Sequence, residues 1–279
     1  MLSNTHCKFE EELKQDILSK FDRFKEYQSL MLDVLADFHR VCMKNGIQYF
    51  LAYGSLLGAI RDGGQIPWDY DIDTWVHFED KDRLFCALEK DLCKDYYFVC
   101  HYFNNSAYHR ILRITPKGYN SEILHVDVFW LSGASEDREI NRQRQKITTI
   151  IRKISFYKYC DMRFIGKPNS VLQIYYIKLK KLLSHLAPDN VLDVIYDKYA
   201  SIPSRKSKMI KDNDMLYVSA ELFRENEFIA LSNGMLLQVP KRYEEILSSL
   251  YGDYRRYLPL EARIREFMTS ISRIELLGR

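Results

Sequence analysis

Apolar residues recur at helical spacing from Phe9 to Met43, at Leu13, Ile17, Phe21, Phe24, Leu30, Val34, Leu35, Phe38 and Val41, and the pattern stops at Gly46. Glycine just past the last periodic residue is a common C-terminal cap, so the spacing predicts one long helix, or two joined by a kink. The run IQYFLAY (47–53) reads as a strand, Gly54-Ser55 as a tight turn, and LLGAIRD as a short helix closed by Gly63-Gly64. Asp71 to His77 alternates as a strand does, and Phe78 to Cys93 returns to helical spacing. Strand-like runs follow at 96–103, 108–115 and 122–131. The first half is therefore α/β with a mixed or antiparallel sheet.

From Glu136 to His185 the pattern is helical and basic. Between Arg142 and Lys181 stand eleven Lys or Arg (142, 144, 146, 152, 153, 158, 163, 167, 178, 180 and 181) against a single acid, Asp161. A further helix is predicted from Asp189 or Asn190 to Tyr199. Asn233-Gly234 between two apolar runs predicts a hairpin over 228–239. From Pro240 the chain reads as two helices split by Gly252 and Pro259. The division that follows is an N-terminal helical segment (1–46), a catalytic core (47–135), a basic helical region (136–200), and a C-terminal hairpin with helices packing on the core (201–279).

With 279 residues, 47% hydrophobic and 28% charged, the chain is composed like a folded globular protein. A net charge of only +3 gives no argument for nucleic-acid binding, and no recognition motif accompanies the basic run. The N-terminus lacks an apolar signal core and no stretch reaches a membrane span, so the expectation is a cytoplasmic protein. Six scattered cysteines (7, 42, 86, 93, 100 and 160) show no zinc spacing and read as reduced structural thiols. The basic run has two readings, a solvated helical face or a surface for anionic lipid. Phe156, Tyr157, Tyr159, Phe164, Tyr175 and Tyr176 interleave with its charges, as in an interfacial helix that would hold the protein at the inner face of a membrane.

Three features of the first half combine into candidate chemistry. In a strand, residues two apart share a face, so Asp71 and Asp73 present two carboxylates in one direction. Like charges so placed repel unless a hard divalent cation such as Mg²⁺ sits between them, and Mg²⁺ binds one or two carboxylates while keeping waters and phosphate oxygens. Asp127, flanked by Val126 and Val128, supplies a third carboxylate if its strand lies beside the first. Gly54 and Ser55 would let a backbone N–H and a hydroxyl approach a phosphate. His101, His109 and His125 read as hydrogen-bonded structural residues and stay outside the candidate site.

The segments YGSLLGAIRDGGQIPWDYDID (53–73), HVDVFWLSG (125–133) and VPKRYEEILSSLYGDYRRYLP (239–259) resemble the LicD family of phosphotransferases, relatives of fukutin-type enzymes. The resemblance implies an α+β fold with a nucleotidyltransferase-like mixed sheet. It also implies Asp71, Asp73 and Asp127 as catalytic residues and ligands of Mg²⁺ or Mn²⁺, with Arg61 and Asp69 as further site members. Tyr70 interrupts the run of acids usual in that family. The implied reaction moves a substituted phosphate, phosphocholine or a polyol phosphate, from a CDP-activated donor to a sugar hydroxyl of a bacterial surface glycan or lipid-linked glycan, releasing CMP. Asp127 would help deprotonate the acceptor. Arg61, and one of Arg110 and Arg113, would grip phosphate oxygens; the two latter fall on opposite strand faces, and Arg113 is preferred. A choline group would be held by aromatic faces, for which Trp68, Tyr70 and Trp75 are the nearest candidates; Trp130 is close in sequence but falls on the strand face opposite Asp127. Two other readings stay open: a nucleotidyltransferase acting on a small molecule, and a non-catalytic scaffold that binds nucleotide or glycan.

Overall fold

A computed structural model describes residues 2–103, 107–160, 170–212 and 215–275, with side chains described from residue 19 to residue 272 within those ranges. Arg163, Phe164 and Lys167 of the basic run, and Asp161, lie outside the described residues. The chain is α+β. Helix α1 (Leu2–Lys44) is continuous, with no break into two, and Gly46 follows it at φ +61°. Its apolar stripe, Phe24, Met31, Val34, Leu35, Phe38 and Val41, is buried.

After α1 come β1 (Tyr49–Leu51), α2 (Tyr53–Arg61) and β2 (Ile72–His77). A 3-10 turn leads into α3 (Lys81–Asp91), and β3 (Tyr96–Val99), β4 (Leu112–Pro116) and β5 (Val126–Ala134) complete the main sheet. The strand order is β1-β2-β5-β4-β3. Only β2 and β5 run parallel, which places both of their N-terminal ends at one edge; the other pairs are antiparallel. Residues 108–111 and 122–125, expected as strand, are turns or irregular chain leading into β4 and β5.

The sheet has two unlike faces, and this difference creates the site. One face carries Ile72, Leu112, Ile114, Val126, Val128 and Trp130, all at most 1% exposed, and closes against α1 and α3. The other carries Asp73 and Trp75 of β2, Asp127 and Phe129 of β5, and Arg113 of β4, in register across three strands. Beyond the sheet, α4 (Arg138–Tyr159), α5 (Val171–Ser184) and α6 (Asp189–Ala200) form a helical lobe with a small core of Ile151, Leu192, Tyr196 and Ala200. Strands β6 (Met209–Lys211) and β7 (Tyr217–Ser219) extend the far end of β5. The expected hairpin forms as β8 (Asn226–Ala230) and β9 (Leu236–Pro240), with Gly234 at φ +84°. Helices α7 (Tyr243–Tyr251) and α8 (Leu260–Glu275) follow, and Phe267 of α8 packs edge-on to Phe24 of α1.

Candidate active site

The turn from β1 into α2 is held in an uncommon conformation. Tyr53 has φ +43°, the sole non-glycine residue with positive φ among the described residues. Such a backbone costs on the order of 1–3 kcal/mol and persists only where surroundings enforce it. Here the Tyr53 ring packs on Trp75 and Phe129, its hydroxyl donates to the Asp212 carboxylate, and Met215 N–H donates to that hydroxyl at 3.1 Å. Asp212 also accepts from Trp75 Nε1 (2.8 Å) and Leu216 N (3.2 Å). Helix α2 therefore begins at the same edge as the acids, with Ala52 as an N-cap that offers no side-chain cap to the free N–H groups. Ser55 Oγ accepts from Asp73 N (2.9 Å), which ties this helix start to β2 and leaves the hydroxyl proton to donate. Gly54 is required by contact: a Cβ there would run into the Asp69 carboxylate.

The loop that carries Trp68, Asp69 and Asp71 is anchored from three sides. Gln28 of α1 donates to Asp69 O (2.8 Å) and Ile66 O (3.1 Å), Ser270 of α8 donates to Trp68 O (3.0 Å), and the Trp68 ring meets Tyr257 at 6.2 Å. Burial, and a hydrogen-bonded contact with the Asp71 carboxyl, push Asp69 well above the ordinary carboxylate range.

Asp127 stands beside Asp73 in the parallel register and opposite Arg113 in the antiparallel one. Arg113 Nε donates to Asp127 Oδ1 (3.0 Å), its Nη1 reaches Glu122 (3.2 Å) and Ser121 O (3.1 Å), and His125 Nε2 lies 3.4 Å from Asp127 Oδ2. Burial alone would raise Asp127, but the adjacent His125 and Arg113 overcome it and hold the carboxyl well below its usual range. Glu122 is likewise brought down to about 2, against burial, by His109 and Arg113. His109 Nε2 sits 2.6 Å from Arg113 Nη1, and burial, reinforced by that guanidinium, lowers its pKa.

A cleft of about 460 Å³ opens on this same face, one row along from Asp127. Phe129 forms its floor, Tyr108, His109 and Ile111 one side, and Thr149, Arg152, Lys153 and Phe156 of α4 the other. Part of the basic run therefore faces the candidate site.

The structure brings Gly54, Ser55, Asp69, Asp71, Asp73, Asp127 and Arg113 to one sheet edge, and sends Arg110 elsewhere, onto Asp193 of α6 (2.6 Å). Arg61 is engaged locally, bidentate to Asp62 (2.8 and 3.1 Å) and stacked over Tyr257 at 4.3 Å. The expectation for Trp75 is corrected, and that for Trp130, which parity sets on the opposite face, holds. Trp75 (0% exposed) is enclosed by Tyr53, Phe223 and Asp212, and Trp130 (1%) lies on the opposite face against Phe78 and Phe85, so neither ring can meet a ligand. Trp68 and Tyr70 are half-buried near the acids. The sequence reading sets His125 and His109 aside as structural residues, and Glu122 is not singled out there. The HVD spacing puts His125 on the Asp127 face, a signal that strand parity offers, whereas Glu122 lies beyond a turn where parity fails.

For a divalent cation the donor chemistry fits at Asp71 and Asp73: half-buried all-oxygen ligands suit a hard ion. Asp127 fits less well, because Arg113 and His125 already face its two oxygens. Among the described residues no group of three or more His, Cys, Asp or Glu stands as a preformed cation cage.

Acids stand at the N-terminal ends of two parallel strands, beside a helix start. Residues 46–167 match the family described as LicD/FKTN/FKRP, nucleotidyltransferase domain. The lipopolysaccharide cholinephosphotransferase LicD of Haemophilus influenzae is 26% identical over 260 residues, covering 85% of this chain and 93% of that protein. The ribitol 5-phosphate transferase FKRP of Homo sapiens is 57% identical over 35 residues, 12% of this chain and 7% of that protein. An uncharacterized protein of Rickettsia typhi is 40% identical over 60 residues, 21% of this chain and 19% of that protein.

Proposed function

We propose that the protein is a phosphotransferase that moves phosphocholine from CDP-choline to a sugar hydroxyl of a bacterial surface glycan, releasing CMP. The observation that carries this reading is the alignment of Asp73 with Asp127 across the parallel strands β2 and β5, next to Gly54-Ser55 and a cation-lined cleft. Phosphocholine is preferred over a polyol phosphate because the relative named for choline phosphate spans most of this chain, while the ribitol phosphate relative shares only a short segment. With Trp75 and Trp130 in the core, the aromatic argument for choline rests on Trp68 and Tyr70 alone.

In this reading Asp71 and Asp73 hold Mg²⁺ or Mn²⁺, which when bound neutralises phosphate charge and aligns an in-line displacement. The uncapped N–H groups of α2 and the Ser55 hydroxyl donate to phosphate oxygens. Lys153 and Arg152 line the cleft and attract the anionic donor into it. Asp127, kept ionised by His125 and Arg113, fixes both beside the reacting phosphate and accepts the proton that the sugar hydroxyl gives up as the new P–O bond forms.

The test is CMP formation from CDP-choline with Mg²⁺, set beside CDP-glycerol, CDP-ribitol and nucleoside triphosphates. Asp71→Asn and Asp73→Asn are expected to lower turnover by at least about a hundredfold with melting retained. Near-normal turnover in either variant would overturn the site. Pyrophosphate release from a triphosphate, without CMP from any CDP donor, would move the protein to nucleotidyl transfer. Turnover of CDP-ribitol but not CDP-choline would overturn only the donor.

A further inference from the structure

Helix α5 is apolar on the wrong side for a simple lobe helix. It rests on the lobe through Ile177 and Ser184, both 6% exposed, with Ile174 and Lys181 half-buried above and below them. Its opposite side, Leu172, Tyr175, Leu179, Leu182, Leu183 and Leu186 in the following turn, is 52–81% exposed. These positions recur every three or four residues. At about 100° per residue the exposed stripe is centred roughly opposite the packed one, so it is a second complete apolar face and no fringe of the core. Lys178 and Lys180 fall on its two flanks, about 100° from its centre by the same rotation.

Charge narrows what can cover this face. Across residues 142–160 and 170–186, past the first turn of α4 and through α5, there are nine Lys or Arg and no Asp or Glu. The nearby acids of α6 are occupied elsewhere, Asp189 by Lys158 (2.9 Å) and Asp193 by Arg110 (2.6 Å). Two copies meeting through this stripe would set flanking lysines against lysines. A membrane crossing is excluded by length and charge: 14 helical residues span about 21 Å, against a hydrocarbon core of about 30 Å, and three lysines interrupt them. Among the described residues no helix is long and apolar enough to cross a membrane.

We infer that α5 is a membrane-surface anchor, its leucine and tyrosine stripe sunk among the acyl chains of an anionic phospholipid bilayer and Lys178 and Lys180 at the headgroup phosphates on either side. Long lysine stems reach the headgroup level from such positions, and leucine with tyrosine fits the boundary between acyl chain and headgroup. The basic side chains of α4 add longer-range attraction to the same leaflet. Of the interleaved aromatics among the described residues, Tyr175 belongs to the exposed stripe and Tyr176, also exposed, borders it, while Phe156 faces the cleft. The apolar contact is therefore α5, and most of the basic run acts through charge alone.

Flotation of the full chain with vesicles of phosphatidylcholine, with and without one part in three phosphatidylglycerol, at low and high salt, tests this. The wild-type chain is expected to float with the anionic vesicles and less with phosphatidylcholine alone. Leu172→Gln/Leu179→Gln/Leu183→Gln should weaken that binding by more than about tenfold. Lys178→Gln/Lys180→Gln should weaken it less and reduce its salt sensitivity. The leucine variant changes exposed side chains, so its melting temperature should match the wild type. The inference is overturned if the wild type does not float, if the leucine variant binds as the wild type does, or if light scattering shows a wild-type dimer that the leucine variant converts to monomer.

Discussion

Replacing Gly58 with alanine sets two physical effects against each other. Gly58 lies inside α2, where alanine is favoured over glycine by about 0.5–1 kcal/mol. A Cβ at this position, however, would lie 2.5 Å from Gly64 O, 2.9 Å from Ile66 N and 3.1 Å from Ile66 Cγ1. Two of these neighbours are backbone, so no rotamer change relieves the clash. To restore ordinary contact Gly64 O must retreat by about 0.9 Å, from 2.5 to 3.4 Å. Overpacking of this kind costs about 1–3 kcal/mol. The net expectation is destabilisation by about 1–2 kcal/mol, or a melting temperature lowered by roughly 3–6 °C. Because residues 64–66 lead directly into Trp68 and Asp69, CMP formation should fall further than the lost stability accounts for. Scanning calorimetry alongside a turnover assay reads both quantities. A raised melting temperature would show that helix propensity wins and that the 64–66 loop is not braced against α2.

Three other perturbations follow from particular contacts. His77 is buried against Ser204 (2.7 Å), and burial together with Arg205 lowers its pKa to about 4. The unfolded chain binds that proton first, so stability is complete above about pH 6.5 and falls by roughly 3 kcal/mol as pH drops to 4; urea unfolding across this window should flatten in His77→Gln, and equal slopes would refute the assignment. Asp212→Ala strands the Tyr53 hydroxyl, Trp75 Nε1 and the Leu216 N–H, and should cost about 3–5 kcal/mol in urea unfolding; a loss below about 1 kcal/mol would mean that water replaces the carboxylate. Trp75→Phe should leave the ratio of kcat/KM for CDP-choline and CDP-glycerol unchanged, whereas Tyr70→Ala should shift it; a shift in the tryptophan variant would put that ring in contact with the donor.

The chemistry-bearing positions were legible because they depend on local rules. Strand parity separated Arg113 from Arg110 and paired Asp127 with Asp73 once β5 was taken to lie beside β2, whereas Asp71 precedes β2 and lies outside its register. What parity cannot say is what covers a face. Trp75 shares the face of Asp73, but Phe223 and Asp212, nearly 150 residues later in the chain, close over it. The strands β6 and β7 escaped notice because three residues each are too few to show alternation. The basic run was visible as charge. Its division into cleft-lining α4 and an apolar α5 face depends on how the lobe folds, which the count of lysines and arginines does not contain.

The docking of the two chain ends has a consequence for synthesis. Tyr49 of β1 donates its N–H to Gln238 of β9 (3.2 Å), Gln28 and Ser270 grip the same acid-bearing loop, and Phe267 rests on Phe24. Residues 46–167 alone therefore lack both the long helix beneath the sheet and the segments that pin Trp68 and Asp69, and an excised fragment of that span should expose apolar surface and precipitate. On the ribosome, Asp127 emerges well before Ser270, an interval of about 10–30 s at ordinary elongation rates. During that time β1 lacks its contact with β9 and the acid-bearing loop lacks Ser270, which makes the growing chain a natural client for a holding chaperone until α8 arrives.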